Sequence, residues 1–143
     1  MHAVSRIALV LTLWTGSVSC STVKFISDYD EPTDRGVTAL QQKTSALFDK
    51  LQTSDPTPAY DTVSEQYDTI RHDLASLILR NSARELNDKT NGQLESLKQA
   101  LVTFESLHKQ NRTLHLAVVA PARDQIDIIV RAILTLELKK KSA

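Results

Sequence analysis

Apolar residues recur at alternating steps of three and four in four separate stretches of this chain. That spacing tracks the 3.6-residue turn of a helix and does not fit the period-two alternation of a half-buried strand. The first stretch runs from Pro32 to Leu51, with Val37, Leu40, Thr44, Leu47 and Leu51 on one stripe and Phe48 widening it. The second runs from Pro58 to Arg84 on Tyr60, Val63, Tyr67, Ile70, Leu74 and Leu77, with Asn81 in the next place. The third ends near Lys109 and carries Leu94, Leu97, Leu101, Phe104 and His108. The fourth, from Pro121 to Lys140, carries Ile126, Ile129, Ile133 and Leu136. Ser54-Asp55-Pro56-Thr57-Pro58 is a breaker, and Asn87 to Gly92 is polar and turn-like, with Thr90 or Asn91 as a cap. Between Asn111 and Ala120, Leu114, Leu116 and Val118 alternate. A lone strand would have no partner, so this stretch reads as a packed loop.

Four amphipathic helices on short connectors predict an all-α fold, an antiparallel four-helix bundle with up-down-up-down topology over residues 30–143. Three glycines in 143 residues also leave few of the tight turns that a sheet needs. Lys plus Arg and Asp plus Glu each number 17, which argues against nucleic acid as a partner. A single cysteine excludes an internal disulfide framework and a cysteine-rich zinc site.

That cysteine follows a distinctive leader. Arg6 precedes the apolar run Ile7 to Trp14, then the small residues Thr15 to Ser19, then Cys20. This is the order of a secretory signal, and the apolar run is far short of the roughly 20 residues of a membrane span. Ser17-Val18-Ser19-Cys20 looks like a lipobox, with Ser17 where leucine is usual. The expected organisation is a lipoprotein-type signal peptide at 1–19, a lipidated Cys20 and tether at 20–29, and the bundle beyond. Cleavage near Ser19 by the ordinary signal peptidase is the alternative, and it would leave a free thiol in an oxidising compartment. Removing the leader takes Arg6 and no acid, leaving one acidic side chain in excess. Ser21, rather than aspartate, resembles an outer-membrane sorting pattern. The expected location is the periplasm, lipid-anchored at the inner leaflet of the outer membrane.

FISDYDEPTDRGVTALQQK at 25–43, LESLKQALVTFESLHKQ at 94–110 and APARDQIDIIVRAILTLELKKK at 120–141 resemble a family of small proteobacterial lipoproteins with a helical body. Tyr29-Asp30 and Leu136-Glu137-Leu138 match the family's Tyr-Asp near the mature N-terminus and Leu-Glu-Leu near the C-terminus. The resemblance implies the address and the helical fold. It assigns no activity, cofactor or site residue.

Catalytic and ligand chemistry leave little trace. Glu105-x-x-His108 is one Glu-x-x-His pair, whereas a dimetal bundle needs two and further acids. The plainer reading of His108 is a helix-end histidine bonded to a nearby carbonyl or acid. Haem between helices would need His108 with His72 or His115. A small apolar ligand or haem held between the helices is the alternative function. No nucleophile elbow or oxyanion site is visible, so neither enzyme activity nor a cofactor is expected. Asp28, Tyr29, Asp30, Glu31 and Asp34 form an acidic cluster suited to a helix N-terminus, and Lys139 to Lys141 suit a C-terminus. Tyr60 and Tyr67 read as core, and Asn81 as a polar register residue. The fourth segment is apolar around much of its circumference. Ile128, Val130, Leu134 and Leu138 form the candidate contact patch, for an envelope protein or for self-association. The membrane is expected as a further partner, through the anchor alone.

Overall fold

The Asp30 carboxylate accepts a hydrogen bond from the Thr33 backbone N–H at 3.1 Å, and helix α1 (Glu31–Leu51) begins at the next residue. Pro32 lies in the first turn, where a missing N–H costs nothing. A 3-10 turn at Tyr60–Thr62 leads into α2 (Ser64–Ser82), followed by α3 (Asp88–Asn111) and α4 (Leu116–Lys141). The computed structural model describes residues 26–142. The expected signal peptide and Cys20 lie outside the described residues.

Each helix packs on its two neighbours in a closed ring, α1 on α2 and α4, and α3 on α2 and α4. Cross-helix pairs fix the directions. Arg80, late in α2, meets Asp30 at the head of α1 at 3.1 Å, and Arg71, in the first half of α2, meets Glu105, late in α3, at 3.0 Å. Asp49, late in α1, meets Arg123, early in α4, at 2.8 Å. Thr90, early in α3, meets Glu137, late in α4, at 2.9 Å. Consecutive helices are antiparallel, and the fold is an up-down-up-down four-helix bundle. The end where the chain enters therefore also holds the end of α2, the start of α3 and the end of α4.

The core runs down the ring's axis through Leu40, Leu47, Tyr67, Leu74, Leu97 and Ile126, each no more than 2 % exposed. Phe48 and Phe104 stack with ring centroids 5.1 Å apart. Burying each large apolar side chain contributes roughly 1.5–3 kcal/mol. Gly36 admits close approach of α1 and α2, because a Cβ there would stand 2.5 Å from Leu77 Cδ2.

Four boundaries differ from the expected ones. The second segment breaks at Val63, because the Tyr60 N–H is drawn to the Arg112 carbonyl at 2.7 Å and the turn closes on i+3 bonds. Helix α3 starts at Asp88, so Thr90 and Asn91 lie inside it rather than capping it. Helix α4 starts at Leu116, and Pro121 lies within it rather than at its head. At its sixth residue a proline removes one helical hydrogen bond, and the carbonyl it would have used belongs to the exposed Ala117. The loop assigned to Asn111–Ala120 therefore ends at His115, and Val119 joins the core. Finally, residues 26–29 are not free tether. The Ser27 N–H donates to the Leu86 carbonyl at 2.9 Å, and Arg84 donates to the Asp28 carbonyl at 2.8 Å.

Candidate functional site

Two buried polar networks close the bundle, one at each end. At the end where the chain enters, Asp30 caps α1 and accepts from Arg80 Nε at 3.1 Å, with Arg84 paired on the same carboxylate. The Arg80 hydrogen bond, helped by Thr33 and Arg84, holds the Asp30 carboxyl down at about 2. Thr33 Oγ1 lies 2.6 Å from Asp30 and 3.2 Å from Asn81 Oδ1. Asn81 Oδ1 accepts from Asn87 Nδ2 at 2.6 Å. Asn87 Oδ1 in turn accepts from Lys140 Nζ at 2.9 Å and from Ser27 Oγ at 2.8 Å. Lys140 also donates to Thr90 Oγ1 at 2.8 Å and to Glu137 Oε1 at 2.6 Å. Glu137 is fully buried, and its second oxygen has no hydrogen-bond partner. The chain of bonds thus joins all four helices. Tyr29-Asp30 and Leu136-Glu137-Leu138, far apart in sequence, meet at this one network.

At the opposite end His108 is fully buried on α3. Its Nε2 lies 3.1 Å from the Pro58 carbonyl, which can only accept, so Nε2 carries the proton. Nδ1 then accepts from the Tyr67 hydroxyl at 3.1 Å. Burial depresses the His108 pKa and raises that of the Tyr67 phenol, so both groups are neutral. Glu105 accepts from Tyr60 at 2.9 Å and from Arg71 at 3.0 Å. The Glu-x-x-His pair is therefore saturated by protein partners. His72 and His115 are exposed, and His115 faces Asp55 at 3.2 Å, so neither joins His108 on a shared ligand. Among the described residues no group of three or more His, Cys, Asp or Glu side chains is arranged to hold a metal ion. Along the axis between the helices Leu40, Leu97 and Ile133 are fully buried. An open groove of about 470 Å³ runs instead along the outside of α3 and α4, past Ala100, Leu107, Val118 and Ala122.

The candidate contact patch divides. Val130 is 1 % exposed and belongs to the core, and Leu134 packs partly buried against it. Ile128 and Leu138 remain outside, at 64 % and 56 %. The reason is a rotated seam. The buried stripe of α4 is Val119, Ile126, Val130, Ile133 and Glu137, and it displaces Ile129 and Leu136 to the flank. Glu137 is the residue that sequence reasoning missed. Its signal was present, because it falls four places after Ile133 and seven after Val130 on the apolar stripe. Lys140, one of the three lysines suited to the helix C-terminus, has its charge paired inside the bundle. Lys141 lies over the Tyr29 ring at 5.3 Å.

Comparison with protein-family models, curated proteins and solved structures returned no match.

Proposed function

We propose that this chain is a lipid-anchored helical bundle of the bacterial periplasm, held at the inner leaflet of the outer membrane, that serves as an interaction or structural module of the envelope rather than as a catalyst. The observation that carries the reading is the setting of Cys20. It follows an apolar run and small residues, and it stands six residues before Ile26, where the described chain meets the bundle. Six residues extend about 20 Å, so an acylated Cys20 keeps the entry end of the bundle close to the bilayer. Among the described residues no helix is long and apolar enough to cross a membrane, so attachment falls to the lipid. The apolar stripes of the four helices pack on one another in a single core, which leaves the outer helix faces for contacts.

Metabolic labelling with palmitate in cells tests this directly. The wild-type chain takes up label and fractionates with the outer membrane, and Cys20→Ser removes both properties. An unlabelled wild-type chain recovered in the soluble periplasmic fraction overturns the reading.

A further inference from the structure

The most exposed apolar side chain of α4 sits between two unpaired charges of opposite sign. Ile128 is 64 % exposed on the outer face of the helix. Asp124 lies four residues before it and Arg131 three after it, both exposed. Residues three and four apart share a helix face, so the three side chains form one patch. Most other charges of α4 are engaged, and the exposed Lys139 lies two turns beyond Arg131. Arg123 bonds Asp49 and lies 4.0 Å from Asp127, and Lys140 bonds Glu137. Among the described residues, Asp124 and Arg131 have no ion-pair partner. Around Ile128 the rest of the strip, Pro121, Gln125, Ala132 and Thr135, is uncharged, and Lys139 ends it. An open groove of about 490 Å³ beside it is floored by Ala132 and Leu136.

We infer that this strip binds the same strip of a second copy, with the two α4 helices antiparallel about a two-fold axis near Ile128. Charge pattern selects both the partner and the direction. A two-fold axis at this point sets Asp124 of each copy against Arg131 of the other, giving two equivalent ion pairs around a central isoleucine contact. A parallel pairing in register sets acid against acid and base against base. A symmetric contact of this kind is isologous, and so it closes at the dimer. The strip is one helix face wide, so the solution dimer is weak and concentration-dependent. Confinement on a membrane raises the effective concentration and favours it.

The geometry also orients the pair. From Ile128 to Lys141 is 13 residues, about 20 Å of helix, so the two entry ends lie about 40 Å apart. Short tethers reach one bilayer from both ends only when the helices lie along it. The contact supplies a partner for the interaction module proposed above and depends on that reading only for its setting.

The test uses the chain from Ser21, which contains every helix and no cysteine. Sedimentation equilibrium should show a monomer–dimer equilibrium. Ile128→Asp should weaken it roughly tenfold or more. Asp124→Arg alone should weaken it roughly two- to tenfold, and Asp124→Arg with Arg131→Asp should restore it. Circular dichroism checks that each variant keeps its helices. Oxidised Ile128→Cys should form covalent dimers well in excess of Leu79→Cys, a still more exposed control on α2. A chain that stays monomeric up to roughly 1 mM overturns the inference, as does equal crosslinking at the two positions. Neither result bears on palmitate labelling, so failure here and failure of the anchoring proposal are distinguishable.

Discussion

His108 shows how one side chain can be fully buried, polar and silent. Its imidazole donates to the Pro58 carbonyl and accepts from Tyr67, which satisfies the neutral ring. Burial holds its pKa below the ordinary 6.5, so the unfolded chain takes up the proton first. Stability is then complete above pH 6.5 and declines as the pH falls below it. Urea midpoints should drop between about pH 7 and pH 5 in the wild type and stay level in His108→Gln. A level wild-type curve would contradict the depressed pKa of the buried ring. Asp30 acts at a lower pH. Its carboxyl is held at about 2, so its contribution is present above the unfolded value of 3.8 and disappears as the pH falls through 2. Arg112 is a different residue-scale case. It ends α3 with φ at 63°, a region that suits glycine. Arg112→Gly should raise stability by about 0.5–1 kcal/mol, seen as an upward shift of the thermal midpoint by several degrees.

Among the elements, α4 carries the sharpest energetic asymmetry. Glu137 and Lys140 are 0 % and 4 % exposed at their side chains, one turn apart, and each offsets the other's desolvation. Lys140→Met strands a buried carboxylate and should cost about 3–5 kcal/mol in chemical denaturation. Glu137→Leu combined with Lys140→Met removes both charges and should return to within about 1 kcal/mol of the wild type. A double variant as unstable as the single one would show that the lysine matters for packing and not for charge. The same helix marks the limit of what periodicity reveals. The stripes of the first three segments, Val37 to Leu51, Tyr67 to Leu77 and Leu94 to His108, are the buried ones, because most of their apolar residues share a single face, with Leu79, Val102 and Leu107 outside it. Helix α4 has isoleucine, leucine and valine on several faces, so hydropathy alone does not select the seam. A buried glutamate selected it, and only in partnership with a threonine and a lysine that the fold brings to it. The two networks were equally hidden, since each of their long-range bonds joins residues dozens of positions apart. The early start of α4 was obscured by Pro121, which breaks helices in their interiors but removes only one bond near their heads.

At the scale of the molecule, the bundle is an apolar shaft closed by a polar layer at each end. The shaft supplies the non-directional hydrophobic term. The end layers have directional bonds that a slipped helix would break, so they set which residues face each other. The same arrangement places the chain's entry, the Asp30–Asn81–Lys140 layer and the end of α4 together, and the anchoring and dimer proposals both use that end as their reference. The measurement that tests this architecture most directly is a proton NOE spectrum of the chain from Ser21. The four-helix ring predicts cross-peaks between the rings of Tyr60 and His108, 5.7 Å apart by centroid, and between the side chains of Thr90 and Glu137 in the same sample. Helical sequential cross-peaks with neither long-range pair would contradict it.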